Sequence, residues 1–246
     1  TLIISSKVTE IDAGAFRNMK ALEKLEVPFI GKTANADAFF NQTASATDKS
    51  VDSERTLAHY FGSDSYDEGR AITVAGKTVY MPVNFNTITV NATKGHDVVL
   101  EDGTTDNFYS IPYDAFNGAT NLTSITLKGD KLVEIGENAF NGCTGLKQIT
   151  IPATVKTIYK NAFNGCTKLN TVTIEANDLV IKEGAFSGCS AMDKFNSSVA
   201  KTIDLTNIKS IGEDALDFGR KVDFNVNQAN IEDSELTLAL GDTKKI

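Results

Sequence analysis

The chain has 246 residues, of which 41% are hydrophobic and 23% charged, with a formal net charge of −8. Nucleic-acid binding asks for a basic stripe, and the longest basic clusters are only Arg220-Lys221 and Lys244-Lys245. No apolar run approaches the ~18 residues of a membrane span, and the opening Thr without a leader-like stretch reads as a mature or trimmed chain.

Residues 1–39 read as two short coils. Leu2-Ile3-Ile4 begins a strand, and Ile11, Phe16, Leu22, Leu25, Val27 and Pro28 set a spacing that returns throughout the chain. Phe39 follows Phe16 by 23 positions, although Ala34 stands where the coil would carry Ile.

Residues 40–107 read as an insertion inside a coil. Residues 41–50 are polar and small, a loop. SERTLAHYF at 53–61 suits a short helix, with Ser53 as its cap, Leu57, Tyr60 and Phe61 on one face and Gly62 at its end. Ile72 and Val74, then Val79 and Met81, alternate around Ala75-Gly76-Lys77, which predicts a hairpin. Phe85 and Asn86–Val90 read as the displaced strand of the interrupted coil. Lys94-Gly95-His96-Asp97 reads as a turn, and EDGTTDN at 101–107 as an acidic one. A calcium loop needs alternating carboxylates and a distal Glu, and that match is partial.

Residues 108–200 carry the spacing most clearly. Around Phe140, Ile135 lies five before, Ala139 one before, Cys143 three after, Leu146 six after, and Ile149, Ile151 and Pro152 complete the unit. Ile158, Ala162, Phe163, Cys166, Leu169, Val172 and Ile174 repeat it after 23 residues. Ile181, Ala185, Phe186, Cys189, Met192 and Phe195 repeat it after 23 more, and Phe116 precedes Phe140 by 24. Self-similarity at such a period predicts a solenoid. The +9 and +11 residues alternate with polar ones, so each unit contains a short strand with one buried face. The stretch before Phe is too short for a free helix and predicts one helical or 3₁₀ turn. Asn117-Gly118, Asn141-Gly142, Asn164-Gly165 and Ser187-Gly188 end that turn, because Gly accepts a left-handed backbone. One coil cannot bury its own Phe and Leu, so stacked coils must place Phe on Phe.

Residues 201–246 read as a degenerate last coil and a cap. Ile211, Ala215 and Leu216 keep the pattern loosely. Thr202–Leu205 and Val222–Val226 alternate as strands, 227–233 is polar, and Glu235–Leu240 is a final strand candidate.

The three cysteines, Cys143, Cys166 and Cys189, share one column. A metal or redox site would want a further ligand, and no His sits in register. Met19 and Ala119 occupy the same column elsewhere, which marks it as a place for small or flexible apolar groups, where a free thiol fits. Neither His59 nor His96 is tied to a nucleophile, and no phosphate-cradling or dinucleotide motif occurs. No cofactor is expected.

The pattern I-x₃-A-F-x-G-C-x₂-L-x₂-I-x-I-P resembles the BspA-like leucine-rich repeat family of bacterial surface proteins, at 1–39 and 108–195 and loosely at 201–216. The resemblance implies a β-rich α/β solenoid, a right-handed stack of leucine-rich-repeat-like coils with parallel strands, a 23-residue period and one long insertion. It also implies a secreted or cell-surface module for adhesion or ligand binding, with an extracellular protein or glycan as partner.

The expected working surface is the outward face of the strands. Its polar positions include Thr89, Thr126, Gln148, Thr150, Thr171 and Thr173. Thr suits an exposed strand by propensity alone, and this strip carries no aromatic anchor. Tyr60, Tyr66 and Tyr80 in the insertion are the aromatic candidates. The insertion itself is either part of the binding side or a surface excursion covering a weak coil. Three functions remain open: a monomeric non-enzymatic binding module, a spacer that displays other domains, and an enzyme built on His59 or His96 at the insertion.

Overall fold

The computed structural model describes residues 1–33, 53–99, 104–219, 225–227 and 231–241. Ala34, Phe39, the loop at 41–50, residues 101–103 of the acidic stretch and residues 222–224 of the expected 222–226 strand lie outside them.

In chain order the strands are β1 (Leu2–Ile3), β2 (Lys24–Val27), β3 (Gly69–Val74), β4 (Lys77–Pro82), β5 (Thr87–Asn91), β6 (His96–Val99), β7 (Thr105–Ile111), β8 (Ser124–Lys128) and β9 (Leu132–Ile135). There follow β10 (Gln148–Ile151), β11 (Thr157–Ile158), β12 (Thr171–Ile174), β13 (Leu179–Ile181), β14 (Lys194–Phe195), β15 (Thr202–Asp204), β16 (Ile208–Ile211), β17 (Asn225–Asn227) and one helix, α1 (Asp233–Leu240).

The expected strands form a front layer in two parallel sheets, ordered β1-β2-β5-β8 and β10-β12-β14-β15-β17. β5 lies between β2 and β8, so the strand read in the insertion does complete a coil. Pairing keeps equivalent positions side by side: Ile149 faces Val172, Ile151 faces Ile174, and Ile88 faces Ile125. A back layer, ordered β16-β13-β11-β9-β7-β6, was not expected from the sequence. It holds the Ile five before each Phe: Ile111, Ile135, Ile158, Ile181 and Ile211 lie in β7, β9, β11, β13 and β16 and pair in register.

Between the two layers run the turns that carry Phe. Phe116 stacks on Phe140 at 4.9 Å, Phe140 on Phe163 at 4.9 Å and Phe163 on Phe186 at 5.0 Å, with ring planes 9°, 10° and 1° apart. Each ring is fully buried, which contributes about 1.5–3 kcal/mol per side chain. The backbone of these turns forms its own ladder. Phe116 N–H donates to Ala139 O, Phe140 to Ala162, Phe163 to Ala185, Phe186 to Ala215 and Leu216 to Ala239. Of the helical or 3₁₀ turn expected, the bonds are of the 3₁₀ type, successive i→i−3 pairs such as Ala139 N–H to Gly136 O and Asn141 N–H to Asn138 O, without a regular helix. Left-handed backbone explains why: Asp114, Asn138, Asn161, Gly184 and Asp214, each two residues before the Phe position, have φ between 53° and 63°. A helix cannot propagate through such residues, and Asn, Asp and Gly tolerate them best. Gly118, Gly142, Gly165 and Gly188 are left-handed too, as the spacing predicted.

Residues 53–61 differ from expectation. They make two 3₁₀ turns, Ser53–Arg55 and Leu57–Tyr60, split by Thr56 at φ −113° and ψ 165°. The second turn has no exposed face: Leu57, Ala58, His59, Tyr60 and Phe61 are all buried. The reason lies in the ladder. Phe16 N–H donates to Tyr60 O and Leu57 N–H to Ala115 O, so this segment occupies the turn column between Phe16 and Phe116. The hairpin is as read. β3 and β4 pair antiparallel through a two-residue turn with Ala75 at φ 48° and Gly76 at φ 75°. Its tip joins the stack, Ala75 N–H donating to Asn117 O.

Two further expectations are corrected. His96 and Asp97 open strand β6 and Thr105–Asn107 open β7, so these described residues of the two expected turns are an antiparallel strand pair. Glu235–Leu240 is helical, part of α1, and not a strand. Glu232 N–H donates to the Glu235 carboxylate at its start, and Leu236, Ala239 and Leu240 are buried while Leu238 is 58% exposed. Leu216 N–H reaches Ala239 O, so α1 stands where the next turn of the stack would be.

Candidate functional site

The outward positions of the front layer follow from strand alternation. Thr89 pairs with Thr126 across β5 and β8, and Thr150 with Thr173 across β10 and β12. Beside them Thr87 pairs with Ser124 and Gln148 with Thr171. Thr126, Gln148, Thr150 and Thr173 are exposed, and Thr89 and Thr171 half-buried. Thr87 and Thr171 each donate to the preceding Asn side chain, Asn86 and Asn170, at 2.8 and 2.9 Å. The centre of this face is therefore hydroxyl and amide, without charge. Charge flanks it: Glu26 of β2 pairs with Thr89 and Lys194 of β14 with Thr171, and Lys128 Nζ at the end of β8 lies 3.0 Å from Glu26, to whose carboxylate Asn91 also donates. Such a surface can donate and accept hydrogen bonds at each strand. It has no group that could act as nucleophile and base together.

The tyrosines separate. Tyr60 is fully buried, its hydroxyl donating to Phe29 O, with burial and the neighbouring Tyr109 holding that hydroxyl protonated. It supports the core and offers no contact surface, so the expectation of Tyr60 as an anchor is corrected. Tyr66 and Tyr80 are half-buried. Tyr66 lies across Gly69, where a Cβ would meet its ring at 3.0 Å, and Tyr80 pairs with Ala71 on the solvent side of the hairpin. Among the described residues, neither shares a ring contact or a side-chain hydrogen bond with the threonine strip.

The histidines do not build a site. His59 Nε2 donates to Ile11 O at 2.7 Å inside the core. His96 meets Phe108 at 6.0 Å with the ring planes tilted by 46°. The cysteines are free, buried thiols. Each donates to the carbonyl of the preceding coil's Phe, Cys143 to Phe116, Cys166 to Phe140 and Cys189 to Phe163, at 3.1–3.2 Å. Burial pushes the Cys143 and Cys189 thiols well up, which leaves them unreactive. Among the described residues no group of three or more His, Cys, Asp or Glu is placed to hold a metal, and no helix is long and apolar enough to cross a membrane.

The back layer brings together one cluster that sequence reasoning missed. Glu134 accepts from Ser110 Oγ at 2.8 Å and from Tyr159 Oη at 3.0 Å. Burial raises its carboxyl above the usual range, against those two hydrogen bonds. Glu134 and Ser110 pair across β9 and β7. No signal marked them, because the strands that hold them were not recognised.

Sequence comparison matches the BspA type leucine rich repeat region, in six copies, over residues 1–66 and 109–234. The chain belongs to the BspA-type leucine-rich repeat family. The resemblance read from the Ala-Phe-x-Gly spacing is thus borne out, and with it a leucine-rich repeat fold of mostly parallel strands. The unmatched stretches are 67–108, which contains the β3–β4 hairpin, and 235–246. Among solved structures, a leucine rich cell surface protein from Faecalibacterium prausnitzii A2-165 is similar at 23% identity, with a TM-score of 0.42. The match covers 68% of this chain, which spans 42% of that one. No curated protein matches the chain.

Proposed function

We propose that this chain is a non-enzymatic leucine-rich module, secreted or displayed on a bacterial cell, that binds an extracellular protein or glycan in adhesion to host or other cells. The observation that carries this reading is the uncharged strip of the front layer. Thr126, Gln148, Thr150 and Thr173 are exposed, Thr150 paired with Thr173, Gln148 with the half-buried Thr171 and Thr126 with the half-buried Thr89, in a chain of net charge −8. Adjacent hydroxyls at a strand spacing of about 4.8 Å suit hydrogen-bonding to an extended polar ligand. Membership of the BspA-type family supports a surface role. We divide the protein as 1–39, 40–107, 108–200 and 201–246, with a 23-residue coil and a monomeric state. Tyr66 and Tyr80 are flanking contacts on the hairpin.

Immobilised extracellular-matrix proteins and host and bacterial glycans test the proposal. The folded chain captures at least one of them, and replacing Thr126, Thr150 and Thr173 together by Lys abolishes capture while Lys156→Ala on the back layer does not. Absence of binding to every ligand, or binding indifferent to the triple replacement, rejects it. A spacer role is the second reading, favoured by one observation: no aromatic stands among the paired outward residues of β5, β8, β10 and β12. It predicts failure on every ligand with the fold intact.

A further inference from the structure

On the front layer three neighbouring strands bring a carboxylate, an amide and an amine together. Along β2, β5 and β8 the apolar residues Leu25, Val27, Ile88, Val90, Ile125 and Leu127 are buried. Glu26, Asn91 and Lys128 alternate with them and so share the outward face. Asn91 and Lys128 are direct partners across β5 and β8, and Glu26 pairs with Thr89, two residues before Asn91. Glu26 Oε1 accepts from Asn91 Nδ2 at 3.0 Å and lies 3.0 Å from Lys128 Nζ. One carboxylate oxygen thus touches both nitrogens. Among the ion pairs of the described residues Glu26 is the least exposed member, its side chain 23% exposed against 39–73% for the others.

The backbone clamps both strands at these residues. Ala92 N–H donates to Lys128 O at 2.8 Å, and Lys131 N–H to Ala92 O at 3.0 Å. Gly129, at φ 105°, lets the two chains close up, since a Cβ there would collide with the Ala92 carbonyl. The residues that follow Asn91 and Lys128 are therefore held against each other. A strand spacing of about 4.8 Å puts the Asn91 side-chain carbonyl within reach of the lysine stem. A carboxylate within about 2.6–3.2 Å of both nitrogens can move protons between them. An ion pair needs no amide; exchange of one amide for another needs all three groups.

We propose that Lys128 and Asn91 join in an intramolecular isopeptide bond, with Glu26 as the group that moves the protons. Glu26 takes a proton from the Lys128 ammonium, and the freed Nζ lone pair attacks Asn91 Cγ. Glu26 passes that proton to Nδ2, the Cγ–Nδ2 bond breaks, and Nζ gives a second proton to the departing ammonia. The products are a Lys128–Asn91 amide and one ammonium ion. Glu26 is a carboxylate again, and the step needs no oxidant and no outside reagent. The bond welds β5 to β8. β5 lies in the stretch 67–108 that carries no repeat match, and β8 in the matched repeats. The link therefore fastens that stretch to the stack and closes the chain between 91 and 128 into a ring. The inference is independent of the proposed ligand.

Tandem mass spectrometry of a protease digest tests it. The folded chain, held at neutral pH, loses the mass of one ammonia, and its digest contains a branched peptide joining Asn91 to Lys128. In Glu26→Gln, which keeps the size of the side chain, the link forms roughly a hundredfold more slowly. Lys128→Arg abolishes it, whereas Lys160→Arg, in an ion pair with Glu183, leaves it intact. Ring closure raises the melting midpoint of the native chain above that of Lys128→Arg by roughly 10 °C. Circular dichroism checks that each variant is folded. Linear peptides carrying unmodified Asn91 and Lys128, recovered from the folded native chain, overturn the proposal. So does ammonia loss confined to Asn117, Asn141 or Asn164, where the following Gly allows the side chain to close on the backbone. A link formed at the native rate in folded Glu26→Gln overturns it too, because Glu26 would then move no proton.

Discussion

The stack from Phe116 to Phe186 and the stretch from Phe16 to Phe85 solve the same packing problem by different means. In the first, every turn is alike. Rings lie parallel at 4.9–5.0 Å, thiols bond to carbonyls, and the backbone ladder satisfies the buried turns. In the second, Phe16 meets Tyr60 at 59° and Phe61 meets Phe85 at 48°. Turns no longer match, so side chains supply what repetition supplies elsewhere. Tyr60 bonds to Phe29 O, Tyr109 accepts from Ile30 N–H, His59 bonds to Ile11 O and Asn121 to Phe85 O. The lesson is that a coil in register needs few specific polar contacts, whereas a coil with an unlike turn needs several, each unique and long-range in the chain.

The sharpest break of that comparison is in the regular stack. Phe163→Ala removes contacts on both sides of a fully buried ring, at a cost of about 3–5 kcal/mol. Phe16→Ala, at the tilted end of the column, costs less. Urea unfolding monitored by circular dichroism measures both; equal costs would deny the difference between the halves.

Tyr60→Phe probes the irregular half alone. It keeps the ring and strands Phe29 O, for an expected loss of about 1–3 kcal/mol. Asn138→Ala probes the regular turns, where φ is 55°. It costs about 1–2 kcal/mol, and Asn138→Gly recovers most of it. A penalty for Gly as large as that for Ala would place the effect in side-chain contacts and not in the backbone.

Glu134 ties β9 to β7 and to Tyr159 in the back layer. Because its folded-state pKa is raised from 4.5, the folded state holds the proton more tightly than the unfolded one. The resulting stability is full below the unfolded value and is lost as pH rises through the folded one. The stability of the native chain relative to Glu134→Gln therefore falls from acid towards neutral pH, and a flat difference would contradict the assignment. Thr173→Ala, outward and exposed, changes stability by at most about 0.5 kcal/mol, so any loss of binding it causes is a surface effect.

Much of this was legible in the residues. The Phe, Cys and Ile columns stood out because their members recur at fixed spacing, and the hairpin because Ala75-Gly76 separates two alternating runs. The back layer was not legible. Its strands are as short as Thr157–Ile158, too short to show alternation, although the Ile five before each Phe was the mark they leave. Residues 53–61 were read as a short helix because Ser53 could cap it and Leu57, Tyr60 and Phe61 fall on one face. The burial of 57–61 is imposed by the gap they fill between Phe16 and Phe116, which no local pattern reports. In α1, Leu236, Leu238 and Leu240 alternate as a strand would, while Leu236, Ala239 and Leu240 also share one helical face. Ala239-Leu240 echoing Ala215-Leu216 was the overlooked cue. The outward threonines were placed correctly by alternation, and Tyr60 was misplaced together with its segment.

The central claim is that coils hold one another through side chains touching in sequence along a column, each coil coupled to its neighbours only. A double-mutant cycle tests it directly. Phe140→Leu and Phe163→Leu, in adjacent coils, should couple by about 0.5–1.5 kcal/mol, while Phe116→Leu and Phe186→Leu, three stacking steps apart, should add within about 0.5 kcal/mol. Additivity in the adjacent pair, or equal coupling in both pairs, would contradict the account.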